Sequence, residues 1–159
     1  MRTFQDNAGR TWTVAVTVDA VKRVRDLLKE DLLDIERVFP RLFVDPILLC
    51  DVVYCVCKPQ ADAQQVSDVD FGRAMAGDAI AHAEQALVEE LVDFFHDPNH
   101  REVARRAIRK YSQFRNRVAE AVIAHLESPT LAQQLEAILK TACDSFTNSP
   151  ESSESIPGH

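Results

Sequence analysis

Three of the chain's four cysteines, Cys50, Cys55 and Cys57, fall within eight positions of the stretch DPILLCDVVYCVCKPQ. Thiols in such a cluster can bind a soft metal, carry out thiol–disulfide exchange or, when buried, pack as small hydrophobes. Spacing separates these uses. Zinc sites pair their ligands as C-x2-C, whereas this run is C-x4-C-x-C, and Cys143 stands apart without a flanking His or Cys. On a helix that opens at Pro46 and ends near Lys58-Pro59, Cys50 and Cys57 share a face but lie about 10 Å apart along the axis, while Cys55 points elsewhere. The run from Ile47 to Cys57 is apolar nearly all round, the pattern of a helix buried on most sides. Core packing is therefore the favoured reading, with a metal or redox centre as its competitor. Asp51 interrupts the run, and its place is a local cap or pair, or the one open side of the helix.

Other residues with reactive chemistry are scattered. HDPNH holds His96, Asp97 and His100, types that ligate metals, yet no third convergent ligand can be named, and Asp97 before Pro98 reads as a helix cap. His82 and His125 lack a Ser, Cys or carboxylate at the spacing of a nucleophile–base pair. G-x-S-x-G, H-E-x-x-H and Gly-rich phosphate loops do not occur in the sequence. Glu89, Glu90 and Asp93 fall largely on the polar side of an amphipathic helix, where a carboxylate lacks the burial that tunes it for acid–base work. The residues assign no catalytic group, no metal and no cofactor, and the chain reads as a non-enzyme.

Charge offers one local feature. The net charge is −7 at 27% charged residues, with an isoelectric point near 5.2, an average field that repels nucleic acid and anionic membranes. Against it, REVARRAIRKYSQFRNR (101–117) carries seven Arg and Lys against one Glu, a local excess of six. Arg101, Arg105 and Arg109 recur every four residues, and with Lys110 they are the candidate partner-binding residues. The competing reading is that these cations complement Glu84, Glu89, Glu90 and Asp93 on a neighbouring helix.

Elements must position these groups. A chain of 159 residues fits one domain able to bury about 70% of its unfolded surface. Residues 2–18 read as a β-hairpin, with DNAG as the turn and Trp12, Val14, Val16 and Val18 alternating with Thr11, Thr13, Ala15 and Thr17. Asp19 is positioned to cap a first helix over about 20–29. DLLDIE (31–36) suits either a helix or a third strand beside the hairpin, and the strand is preferred because a lone hairpin is marginal in water. Asp45-Pro46, Asp97-Pro98 and Ser128-Pro129 each place a capping side chain before a proline, which loses nothing at the first helical position. Ser67 and Asp70 form an acidic variant of the capping box, and that helix breaks or kinks at Gly77-Asp78.

Apolar stripes follow. One comprises Ile80, Ala83, Leu87, Leu91, Phe94 and Phe95, another Val103, Ala107, Tyr111, Phe114, Val118 and Val122, and a last helix carries Leu131, Leu135, Ile138 and Leu139. TNSPESSESIPGH is too poor in hydrophobes to offset the entropy of ordering. The expectation is an α+β chain, predominantly α: an N-terminal β-hairpin packed on a bundle of about five to six helices, one globular domain over 1–146, and a disordered tail over 147–159. The opening residues lack a secretory signal and no run approaches a membrane span, so a cytoplasmic protein without a membrane partner is expected.

Between Leu42 and Phe95, the segments DPILLCDVVYCVCKPQ, VSDVDFGRAMAGD and AIAHAEQALVEELVDFF resemble phage tail assembly chaperones. In words, an Asp-Pro helix with a buried apolar body leads to a Ser-capped helix bearing Phe71 and then a long helix ending in Phe94-Phe95. The resemblance implies a small, helical, cytoplasmic protein of a phage or prophage tail module. Such a protein holds a tape measure protein soluble while tail tube protein gathers around it, and it needs accessible apolar grooves instead of a catalytic group. The alternative reading is a nucleic-acid-associated or regulatory module that uses the basic helix 101–117. Oligomeric state is left open.

Overall fold

The computed structural model describes residues 1–147, with side chains through residue 143. Two β-strands and seven α-helices occur among these residues: β1 (Arg2–Gln5), β2 (Thr11–Val14), α1 (Val18–Leu28), α2 (Ile35–Val44), α3 (Pro46–Ala63), α4 (Asp68–Ala74), α5 (Asp78–Phe94), α6 (Pro98–Leu126) and α7 (Pro129–Thr147). The chain forms two compact units, Met1–Phe114 and Arg115 onward, with α6 contributing residues to both. The α+β, mainly helical class is as expected. Residues 148–159 of the expected tail lie outside the described residues.

In the unit 1–114 the hairpin pairs antiparallel with Phe4 opposite Trp12 and Arg2 opposite Val14. These four side chains share the inner face, where Phe4, Trp12 and Val14 are buried. Asp6 organises the turn. Its buried carboxylate accepts the amides of Ala8 and Arg10 at 2.9 Å, Arg10 Nε at 2.7 Å and Trp12 Nε1 at 2.8 Å. Burial opposes ionisation of Asp6, but these bonds, the one from Trp12 first, more than offset it and hold the carboxyl below its usual range. Gly9 completes the turn at φ +79°, in the left-handed region that glycine tolerates. Asn7 then ties the turn to the end of α4 by donating its amide to Ala74 O and Nδ2 to Ala76 O.

Residues 31–36 depart from the expected third strand. Asp31–Asp34 make a turn, closed by the Asp34 amide on Asp31 O, and Asp34 caps α2 by accepting the Arg37 amide. Leu32 is nevertheless fully buried, so its hydrophobicity is used from a turn. A capped helix also meets the backbone's hydrogen-bonding needs without a sheet partner. At α1 the cap is Thr17, whose hydroxyl accepts the Ala20 amide at 3.2 Å, while Asp19 sits inside the first turn and pairs with Arg23. The hairpin accordingly stops short of 18, and Val18 is exposed at the head of α1.

The expected helix starts at Pro46, Pro98 and Pro129 are present, with Asp45, Asp97 and Ser128 each accepting a first-turn amide. Ser67 accepts the Asp70 amide and donates its hydroxyl to the Asp70 carboxylate. The end of α3 needs correction, because the helix continues through Pro59 to Ala63. Proline at 59 lacks the N–H that would bond the Cys55 carbonyl four residues back. Arg23 of α1 supplies the missing donor, its Nη1 lying 2.7 Å from Cys55 O. Beyond Ala63, Gln65 at φ 54° turns the chain, and the bonds Val66 N to Ala61 O and Gln65 N to Asp62 O close the helix as a Schellman motif.

The core of this unit gathers α3 against β2, α1, α2 and α5. Phe71 of α4 packs edge-on against Trp12 with ring centroids 5.0 Å apart and lies 5.4 Å from Tyr54.

Candidate functional site

Cys55 and Cys57 are buried in the core, and Cys50 is half-buried against it. Burial pushes all three thiols up; Asp51 adds to this at Cys50 and Cys55, and Cys57 reaches about 12 with Arg23 opposing only weakly. Thiols held protonated in apolar surroundings are inert packing groups. Among the described residues no group of three or more His, Cys, Asp and Glu is placed to hold a metal ion. Asp51 stays half-buried on α3. Desolvation, and then the nearby charges of Asp68 and Asp45, raise its carboxyl above the usual range.

The basic run on α6 is put to mixed use. Arg101 turns back onto α5, donating Nε to Phe95 O at 2.5 Å and Nη2 to His96 O at 3.0 Å, so it closes carbonyls at the helix end. Arg106 pairs with Glu102 at 2.7 Å, and Arg109 lies 3.6 Å from the same carboxylate. Arg105 and Lys110 are exposed. Arg105 and Arg109 also line a cavity of about 260 Å³ with Arg2, Glu89, Asp93, Val88, Val92 and Ile108.

On α5, Glu89, Glu90 and Asp93 are ion-paired from the hairpin. Arg2 of β1 takes all three carboxylates: Nε bonds Glu89, and Nη1 lies 3.0 Å from Glu90 and 2.9 Å from Asp93. Glu90 is buried, not solvated. Arg2 was missed because its partners are more than eighty residues away, and its only local signal was a position alternating with Phe4 on the strand's inner face.

His96 and His100 are exposed, and His100 Nδ1 lies 3.6 Å from Asp97. With Leu33, Ile35, Phe94 and Phe95 they border an apolar cavity of about 450 Å³. No family model, curated protein or solved structure matches the chain.

The second apolar stripe faces inward only in part, with Ala107 and Tyr111 packed against the core. Ala104 is the buried residue of α6, with Ala107 and Tyr111 half-buried, while Val103, Phe114, Val118 and Val122 are exposed. In the unit from Arg115, Val118, Val122, Ile123 and Leu126 of α6 and Leu135, Ile138 and Leu139 of α7 are between 45% and 64% exposed. Periodicity specifies an apolar face without specifying its cover. Among the described residues no helix is long and apolar enough to cross a membrane.

Proposed function

We propose that this chain is a non-enzymatic assembly chaperone of a phage or prophage tail, binding a long α-helical client such as a tape measure protein, with tail tube protein as a further partner. The observation that carries the reading is the set of uncovered aliphatic side chains at helical spacing on α6 and α7: Val118, Val122 and Leu126, and Leu135 and Leu139. Apolar positions three and four residues apart are what an amphipathic partner helix docks against, and exposed apolar surface on this scale marks interaction sites. The resemblance over residues 42–95 supplies the client's identity. Reading the chain as a nucleic-acid module is less well supported, because Arg101 is spent on backbone carbonyls and the net charge is −7.

Co-expression of the full chain with the tape measure protein of its own gene neighbourhood tests this. The client stays soluble with the native chain and precipitates with a Val118→Asp/Leu135→Asp double variant that keeps the native melting curve. Equal solubility with both, or tight oligonucleotide binding that falls steeply with salt, rejects the chaperone reading.

A further inference from the structure

The two edges of the hairpin are finished differently. Antiparallel pairing alternates residues that exchange hydrogen bonds with residues whose N–H and C=O point away from the partner strand. The Thr13 amide and the Thr11 carbonyl both point outward, to Gln60 Oε1 at 2.9 Å and from Gln60 Nε2 at 2.7 Å. Their cross-strand partners Thr3 and Gln5 must then direct their own backbone groups outward on the far side. The bond from the Asp6 amide to Arg10 O fits the same alternation.

On β2 this outer row is occupied, since Gln60 spans two of its groups and the Cys57 thiol reaches Thr13 O at 3.5 Å. On β1 it is open. Among the described residues no hydrogen bond engages the backbone N–H or C=O of Thr3 or Gln5. Residues 31–36, which read as a third strand, are committed to a turn and α2. Beside the open edge runs a groove of about 440 Å³, walled by Arg2, Thr3 and Phe4 on one side and by His82, Gln85 and Glu89 of α5 on the other.

We propose that the free edge of β1 is a strand-addition site that takes an extended segment of a protein partner as the third strand of the sheet. Main-chain bonds to Thr3 and Gln5 supply the attachment. The wall of His82, Gln85 and Glu89 selects segments whose inward side chains are polar donors, such as Lys or Thr, over aliphatic ones. A second copy of this chain fits poorly, because it would bring its own α5 to the groove. Two helices need about 8–10 Å between axes, against about 4.8 Å between paired strands. This site is independent of the apolar surfaces on α6 and α7 and of the chaperone reading.

The test titrates the isotopically labelled full chain with a blocked octapeptide of alternating Thr and Lys, followed by NMR. Saturable shifts at the Thr3 and Gln5 amides and at His82 and Gln85 are expected, with slowed exchange of the Thr3 amide. Thr3→Pro deletes only an outward N–H, which an edge strand tolerates, and weakens binding roughly tenfold. The same peptide N-methylated on its strand-facing amides keeps its charge and loses binding to the native chain, which preserves the test if the variant does not fold. No saturable shift at Thr3 with millimolar peptide, equal binding of the N-methylated peptide, or a Thr3 amide already protected in the free chain overturns the proposal.

Discussion

Helices α3 and α7 are 18 and 19 residues long and both are rich in aliphatic side chains. Helix α3 buries Leu49, Val52, Val53, Cys55, Val56, Cys57 and Ala61, whereas α7 buries no residue through 143. The difference lies in how the apolar residues are distributed around each helix. A helix that is apolar nearly all round has no stable place except a core, and α3 is enclosed by α1, α2, α5 and β2 within one unit. A helix with a single stripe has a wet face already and demands only that something meet the other. The first pattern fixes a position in the fold, and the second leaves an apolar face uncovered within its unit.

Truncations should separate the two regions most widely. Phe71→Ala removes a ring wedged against Trp12 and Tyr54 and is expected to cost about 4 kcal/mol in urea unfolding. Leu139→Ala, on an exposed stripe, should change stability by less than about 0.5 kcal/mol. Similar losses at both sites would erase the contrast.

Polar groups that serve the packed unit come next. Asp6→Ala strands several donors in and around the hairpin turn and should cost about 3 kcal/mol at pH 7. Because the folded state lowers this carboxyl, its contribution is fully present above the unfolded value near 3.9 and is lost as pH falls through the folded one. The gap between the unfolding curves of the native chain and the variant should therefore narrow in acid. A gap that persists unchanged well below pH 3 contradicts the assignment. Arg23→Met leaves the Cys55 carbonyl without its donor and should cost about 1–2 kcal/mol. In a Pro59→Ala background, where the helix supplies its own N–H, most of that penalty should vanish.

The smallest effect expected is a gain. Asp51 is raised by burial and by Asp68 and Asp45, so its ionised form opposes folding above the unfolded value. Asp51→Asn should raise the urea midpoint slightly at pH 7 and leave it unchanged near pH 3. A loss at pH 7 would mean that the carboxylate has a stabilising role.

Much of this fold is local chemistry and was legible as such. An Asp or Ser before a proline, or Ser67 three residues before Asp70, satisfies first-turn amides whatever surrounds it, so the helix starts were readable. Residues 31–36 were not, because Leu32, Leu33 and Ile35 carry hydrophobicity without a period long enough to choose a strand over a turn and a helix. The end of α3 was misplaced because the donor that rescues the chain at Pro59 is Arg23, on a different helix. The three-carboxylate grip of Arg2 and the buried Glu90 depend on a contact across the whole packed unit. The stripes on α6 and α7 were visible as stripes, but which part of each is covered was not, because that depends on neighbours the periodicity does not name.

The cysteines supply the most direct test, since Cys55 and Cys57 belong to the packed unit and Cys143 to the exposed one. Alkylation of the native full chain at neutral pH, with each site followed by mass spectrometry, reads their protection individually. Cys143 should react at once, Cys50 more slowly, and Cys55 and Cys57 only when the chain unfolds, with rates that rise in urea in step with the unfolding transition. Reaction of Cys57 in the native protein as fast as Cys143, or its protection by a bound metal that a chelator releases, would contradict the assignment of these thiols to the core.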